Sequence, residues 1–388
     1  MQFLGLTGRW HEMKTAIWRW HLHRTLLDRA GWLRPFSKKP GKQRWLFIGE
    51  RDPICHTQWF PYFFHRDALA DRHNIEIREL PLSRFMEGRH PYQVPVDAVC
   101  FQTWFDLTPE AMEALVKTLK ETWPEARIAY FDWFAPTDLR YAEVLNPSIV
   151  AYVKKQALRD FSHYNQPTLG DTNLTDYYAR RFKLDSPETR FNVPDGFRDK
   201  LILGTHFAFS DHMLPYFLAP FPPQANRTID LHARIAVKGT EWYTRMRQEA
   251  LDKVTDLENR LNVVCRGRVG RKEYFAELFN AKLCFSPFGY GEVCWRDFEA
   301  MFTGSLLLKP DMSHLDCYPE VFFPNETYIP LAWDLSDFDE KVDYYLNHPA
   351  ERETIARNAF ELLQGYFQQQ RFLADIHPLL QRLGLEQP

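Results

Sequence analysis

Short, unbroken apolar runs that alternate with amphipathic stretches constrain this chain more than any other feature. A strand covered on both faces reads as a continuous hydrophobic run, and joining two parallel strands requires a crossover, usually a helix. Residues 45–49 (Trp-Leu-Phe-Ile-Gly) and 96–101 (Val-Asp-Ala-Val-Cys-Phe) are such runs. Thr108-Pro109-Glu110-Ala111 opens a helix to about Thr122, with proline in the first turn. Residues 127–132 and 148–153 predict two further strands. The pattern lapses over 165–225, which is irregular and rich in Pro, Asn and Asp, and Pro220, Pro222 and Pro223 stiffen the connection that follows. It then restarts with a strand at 230–236, a long helix from Glu241 to about Asn262, a strand at 262–267 and a helix at 271–280. A strand at 282–288, a helix at 294–303, a strand at 305–310 and helices from about Ser336 onward complete it. The fold class is therefore α/β, with two doubly wound halves.

The expected division is a basic extension at 1–40, a first α/β domain at 41–225, a second at 228–350, and closing helices at 351–388. Residues 1–44 carry ten Lys and Arg against two acidic residues, a net +8, interleaved with Trp10, Trp18, Trp20 and Trp32. Such a segment suits an anionic membrane surface, with the rings at headgroup level; a helix packed on the body with a solvated basic face is the alternative. The whole chain is at −3, so no global basic field points to nucleic acid. No apolar run approaches the roughly 20 residues of a membrane span, and the N-terminus lacks a signal-peptide core. Six scattered cysteines without a CxxC pair read as reduced thiols, which points to the cytoplasm.

The densest chemistry lies between Leu283 and Ala300. A buried strand ends at Ser286-Pro287, Gly289 and Gly291 make a tight turn beside Tyr290, and a helix follows. Glycines there let backbone approach a ligand, and a helix N-terminus offers free N–H groups to a phosphate. Glu292 and Glu299, seven residues apart, are expected on one helix face, with Arg296 between them. A carboxylate at that depth suits the vicinal hydroxyls of a ribose; a surface salt-bridge ladder is the plainer alternative. The loop is neither GxGxxG nor GxxxxGK[ST].

This Ser-Pro strand end, Gly-rich turn, Arg-x-x-Glu-Ala helix and Gly304-Ser-Leu-Leu-Leu-Lys-Pro310 run resembles the C-terminal half of GT-B glycosyltransferases, most closely bacterial group-1 and CgeB-like enzymes. It is also similar to the exostosin-type Gly-Tyr-Gly…Phe-Arg…Glu-Ala motif. The resemblance covers residues 282–347 well and 228–350 in layout. It implies two Rossmann-like domains facing a cleft and transfer of a sugar from a nucleotide-sugar donor to a glycan or glycolipid, in bacterial cell-surface polysaccharide or lipopolysaccharide synthesis at the inner membrane face. By position, Glu299 would bind the donor ribose, Gly289 to Gly291 would approach phosphates or sugar, Glu292 would contact the sugar, and Arg296 would neutralise diphosphate charge. Arg268, Arg271 and Lys272 follow a strand where such enzymes hold basic residues for the diphosphate. The nucleotide-sugar would be a substrate, with no cofactor and no metal. Related retaining families space their glutamates Glu-x7-Glu, whereas this chain has Glu-x6-Glu, so the stereochemical outcome stays open. A sugar-nucleotide epimerase of the same fold and a non-catalytic scaffold are the rival readings.

An inverting enzyme needs a base on the first half. Asp52 and His56 after the first strand, Asp132 with Asp138, and Asp211-His212 are the candidates, each of which also suits an ordinary loop or capping role. Lys154-Lys155 at a strand end suits an anionic acceptor or plain solvent. Trp59, Phe60, Tyr62, Phe63 and Phe64 are an aromatic patch, core or stacking platform. Asp337-Phe338-Asp339 reads as helix capping rather than a metal site.

Overall fold

The structure is a computed structural model and describes residues 18–19, 21–22, 33–50, 52–92 and 95–385. Most of the basic extension, and so the expected membrane contact, lies outside the described residues. No helix among the described residues is long and apolar enough to cross a membrane.

Fifteen strands occur in chain order among the described residues. In the first half they are β1 (Gln43–Gly49), β2 (Ile75–Pro81), β3 (Ala98–Phe101), β4 (Arg127–Asp132), β5 (Ala151–Lys154), β6 (Gln156–Leu158), β7 (Thr168–Leu169), β8 (Glu188–Thr189) and β9 (Leu201–Leu203). The second half adds β10 (Ile229–His232), β11 (Val263–Val264), β12 (Ala281–Phe285), β13 (Leu306–Pro310), β14 (Leu315–Cys317) and β15 (Ile329–Leu331). The first sheet runs β2-β1-β3-β4-β5-β9 and the second β11-β10-β12-β13-β15, every neighbouring pair in them parallel. Within each half the strand order reverses beside its first strand, and ligands of open α/β sheets sit at that reversal, beyond the carboxyl ends of the strands. The fold is thus two Rossmann-like α/β units.

Departures from the expected elements have local causes. β2 escapes a search for continuous apolar runs because it is an edge strand: Glu76 and Arg78 pair with each other on its rim, and Glu79 turns inward to His56. The strand expected from 148 begins at Ala151, because the amides of Ser148 and Ile149 both return to Leu145 O, 2.9 and 3.1 Å away. The helix expected to reach Asn262 ends at Thr255, where Leu257 and Glu258 N–H bond three residues back at 3.2 and 3.1 Å. The irregular 165–225 stretch holds the capped helix Asn173–Phe182 and strand β9. Asp337 does not cap its own helix: its carboxylate accepts from Ala332 N–H at 2.9 Å and pairs with Lys341 at 2.7 Å.

Three apolar cores hold the described residues together. Leu46, Ile48 and Phe101 head the outer face of the first sheet, and Leu231, Leu283 and Leu308 that of the second. The third core runs through both halves, from Trp45, Phe47 and Trp59 to Phe207, Phe298 and Phe302. The expected aromatic patch is mostly in this core. The closing helices Phe372–Asp375 and His377–Arg382 return to the first half: Phe372 sets its ring edge-on to Tyr62 at 5.0 Å and stacks on His65 at 5.5 Å. Antiparallel pairing of β6 with β14 ties the halves together. All six cysteines are free thiols.

Candidate active site

The carboxyl edges of the two sheets meet where the Gly-rich turn touches the first half. A Cβ placed on Gly291 would lie 1.9 Å from Ala135 O, in the loop after β4, so only glycine permits this approach. Gly289 N–H closes the turn onto Gly291 O at 3.0 Å. The glycines therefore serve a contact between halves, an arrangement the sequence does not announce.

Glu292 is fully buried at this seam. Its Oε2 accepts from Gln156 Nε2 at 2.9 Å, and its Oε1 from Asn173 Nδ2 at 3.0 Å, with His314 Nε2 at 3.4 Å. Gln156 also donates to Ala135 O at 2.9 Å. Glu292 does not share a helix face with Glu299, contrary to the spacing argument. The helix is Trp295–Thr303, with Cys294 as its cap, and Asp297 fixes that start: its Oδ2 accepts from Cys294 N–H at 2.7 Å. Glu292 belongs to the turn before the helix and Glu299 to its second turn.

Asp297 and Lys309 are the residues the sequence reading overlooked here. Both are fully buried, 3.0 Å apart, and Ser286 Oγ donates to Asp297 at 2.6 Å. Ser286 is therefore engaged in holding the helix start rather than facing a ligand. The only signal in the sequence is the Cys-x-x-Asp spacing, a weak form of the capping box.

Glu299 accepts from Tyr274 O–H at 2.7 Å through Oε2, and no hydrogen bond among the described residues engages Oε1. Burial raises its pKa above the ordinary carboxylate value, while the Tyr274 bond and the nearby Arg296, His212 and Arg271 charges pull it back. Arg296 donates to Arg234 O, beside Tyr274 and Glu299 and away from Glu292. Its predicted place between two carboxylates reduces to one. Arg268, Arg271 and Lys272 are exposed at the start of the Arg271–Phe279 helix, with the Arg271 guanidinium 5.4 Å from the Phe275 ring centroid. Tyr290 stacks on Tyr243 at 4.3 Å and takes a hydrogen bond from Thr240 N–H.

The candidate bases of the first half are engaged elsewhere. Asp132 is fully buried and accepts from Lys154 Nζ and Tyr152 O–H, each at 2.7 Å, and from Phe134 N–H at 3.0 Å. These three donors hold it in a buried ion pair with Lys154. His56 is buried with its Nε2 3.0 Å from Glu79. Asp52 caps the Pro53–His56 turn through Ile54 N–H at 2.7 Å. Asp138 chelates Arg140 with two contacts of 2.7 Å. His212 stacks on Trp295 at 4.8 Å, which brings it to the Glu299 side of the seam. Glu292 and Glu299, with His314 and His212, are thus among the titratable groups the fold collects along the seam. Among the described residues no group of three or more His, Cys, Asp or Glu side chains is disposed to hold a metal ion.

Residues 221–377 match a family model described as glycosyl transferase-like. No curated protein matches the sequence. Among solved structures, an alpha-glucosyltransferase in complex with UDP is 8% identical with a TM-score of 0.47, covering 86% of this chain and 99% of that one. A putative UDP-N-acetylglucosamine 2-epimerase from Listeria monocytogenes is 10% identical with a TM-score of 0.46, over 88% and 97%. A glycosyltransferase from Rickettsia africae ESF-5 is also 10% identical with a TM-score of 0.46, over 87% and 99%. Over residues 221–377, which carry the Gly-rich turn, Glu292 and Glu299, the chain is similar to glycosyl transferase-like proteins.

Proposed function

We propose that this protein is a GT-B glycosyltransferase that moves a sugar from a nucleotide-sugar donor to a glycan or glycolipid acceptor. The observation that carries the reading is Glu299: a shielded carboxylate, steadied by Tyr274 and with one oxygen uncommitted, inside the segment similar to glycosyl transferase-like proteins. Such a group is built to take the paired hydroxyls of a ribose. Glu292, reached from both halves through Gln156, Asn173 and His314, would contact the donor sugar. Basic side chains and the N-terminus of the Trp295–Thr303 helix would balance the leaving diphosphate, without a metal. Cell-surface polysaccharide or lipopolysaccharide synthesis is the setting that the motif likeness to bacterial group-1 and CgeB-like enzymes suggests.

Calorimetric titration with UDP, GDP, ADP, CDP and dTDP tests the reading. One of them binds the wild type, and Glu299→Ala weakens it ~10- to 100-fold, the worth of a charge-assisted hydrogen-bond pair, while circular dichroism stays unchanged. Binding that is indifferent to the substitution contradicts the assignment of Glu299, and no binding by any of the five favours the scaffold.

A further inference from the structure

The loop that leaves β3 at the carboxyl edge of the first sheet holds two large aromatic side chains at the surface: Trp104 is 36% exposed and Phe105 50%. Neither is loosely held. Trp104 packs on the buried Trp133, with ring centroids 5.3 Å apart, and on Phe105 at 5.4 Å; Phe105 in turn meets the buried Phe134 at 6.5 Å. Trp133 Nε1 donates to Thr103 O at 2.8 Å, which fastens the loop after β4 to the loop after β3. The result is an aromatic shelf two layers deep. Its inner end reaches the seam, because Ala135, the residue after Phe134, is the one that Gly291 packs against.

Two carboxylates edge this shelf. Asp106 follows Phe105 and is exposed, and Glu50 leaves the end of β1 and is half-buried. Gln102 Nε2 donates to Cys55 O at 3.1 Å, which holds the segment after β1 beside the β3 loop. Burial and the charge of Asp106 raise the Glu50 carboxyl above its ordinary value, and no hydrogen bond or ion pair among the described residues engages either group. Lys155, whose charge reaches Cys55 from the same side, is buried and not part of this rim.

Large apolar rings fixed at a surface mark a binding face rather than a core. An aromatic face is electron-rich, so the weakly positive C–H face of a sugar ring packs on it, and carboxylates take sugar hydroxyls in charge-assisted hydrogen bonds. A lipid chain would use the rings but leave the carboxylates desolvated and unpaired. A phosphate or carboxylate on the sugar would meet like charge. We propose that this shelf takes the terminal sugar ring of the acceptor, and that the Glu50 and Asp106 rim admits a neutral or amino sugar and turns away one that bears phosphate or carboxylate. The inference rests on the proposed function and narrows its acceptor class.

The test uses the full chain on an array of immobilised oligosaccharides that end in neutral, amino, phosphorylated or uronic sugars, alone and with each of the five nucleoside diphosphates. The wild type binds neutral or amino glycans in preference to the anionic ones. Trp104→Ala and Phe105→Ala each lower that binding about tenfold or more, and Trp104→Phe keeps most of it. Glu50→Gln with Asp106→Asn narrows the preference over anionic glycans about tenfold. Circular dichroism stays unchanged throughout. No glycan binding, a preference for anionic glycans, or binding indifferent to Trp104→Ala overturns the proposal, as does Trp104-dependent binding to vesicles of neutral phospholipid with none to glycans. Trp104-dependent glycan binding by a chain that binds no nucleotide supports the sugar site and overturns the proposed function; nucleotide binding through Glu299 without it overturns the shelf alone.

Discussion

Lys154 and Lys155 are chemically identical neighbours, and the fold treats them oppositely. The first pairs with Asp132 at 2.7 Å; the second makes no hydrogen bond among the described residues and lies 4.3 Å from the Phe207 ring centroid. That difference has a thermodynamic sign. The folded chain holds the Lys155 proton less tightly than the unfolded chain, with a pKa of about 7 against an ordinary value of 10.5. Between those pH values the unfolded state binds more protons, so this residue makes stability rise with pH across that window, and below about pH 7 its cost is constant. Lys155→Met should therefore be the more thermostable protein at pH 7, by a few degrees on the usual scale of about 2–4 °C per kcal/mol. Its advantage should shrink steadily as pH is raised to 9.5 in phosphate-free buffer. A pH-independent difference in midpoint contradicts an unpaired buried ammonium. The sequence named both lysines as possible anion ligands but could not separate them, because the choice depends on Asp132 from one strand and Phe207 from a segment fifty residues on. The place of Glu299 on a helix was legible for the opposite reason: it lies in the same short run as the motif that suggested it.

At the level of elements, most strands and helices of both halves could be read from apolar runs and proline-led helix starts. What failed was the boundary that mattered, the start of the Trp295–Thr303 helix. Periodicity suggested a helix face shared by Glu292 and Glu299; the Asp297 carboxylate instead bonds Cys294 N–H and leaves Glu292 in the turn. A cap formed by a buried ion pair is invisible to periodicity, since Lys309 arrives from β13. The same pair makes a strong prediction. Asp297→Ala strands a buried ammonium and removes a cap, which costs ~3–5 kcal/mol, whereas Asp297→Ala with Lys309→Met recovers much of that loss. Urea denaturation checks it, and a double variant as unstable as the single one contradicts the pairing.

On the scale of the whole molecule, two sheets with the same reversal of strand order bring their carboxyl edges together at one seam. Gly291 against Ala135, Gln156 on Glu292, and β6 beside β14 join them. The repetition of the α/β pattern was evident in the sequence, but the contacts across the seam were not, because none involves residues near in sequence. In the proposed function the donor's nucleoside would lie on Glu299, its phosphates at the N-terminal turn of that helix, and its sugar toward Glu292. A crystal structure of the protein with a bound nucleoside diphosphate tests this most directly. Ribose hydroxyls are expected within hydrogen-bond distance of the Glu299 carboxylate and phosphoryl oxygens at the seam between the two halves; a nucleotide bound elsewhere, or one whose ribose faces away from Glu299, contradicts the proposed function.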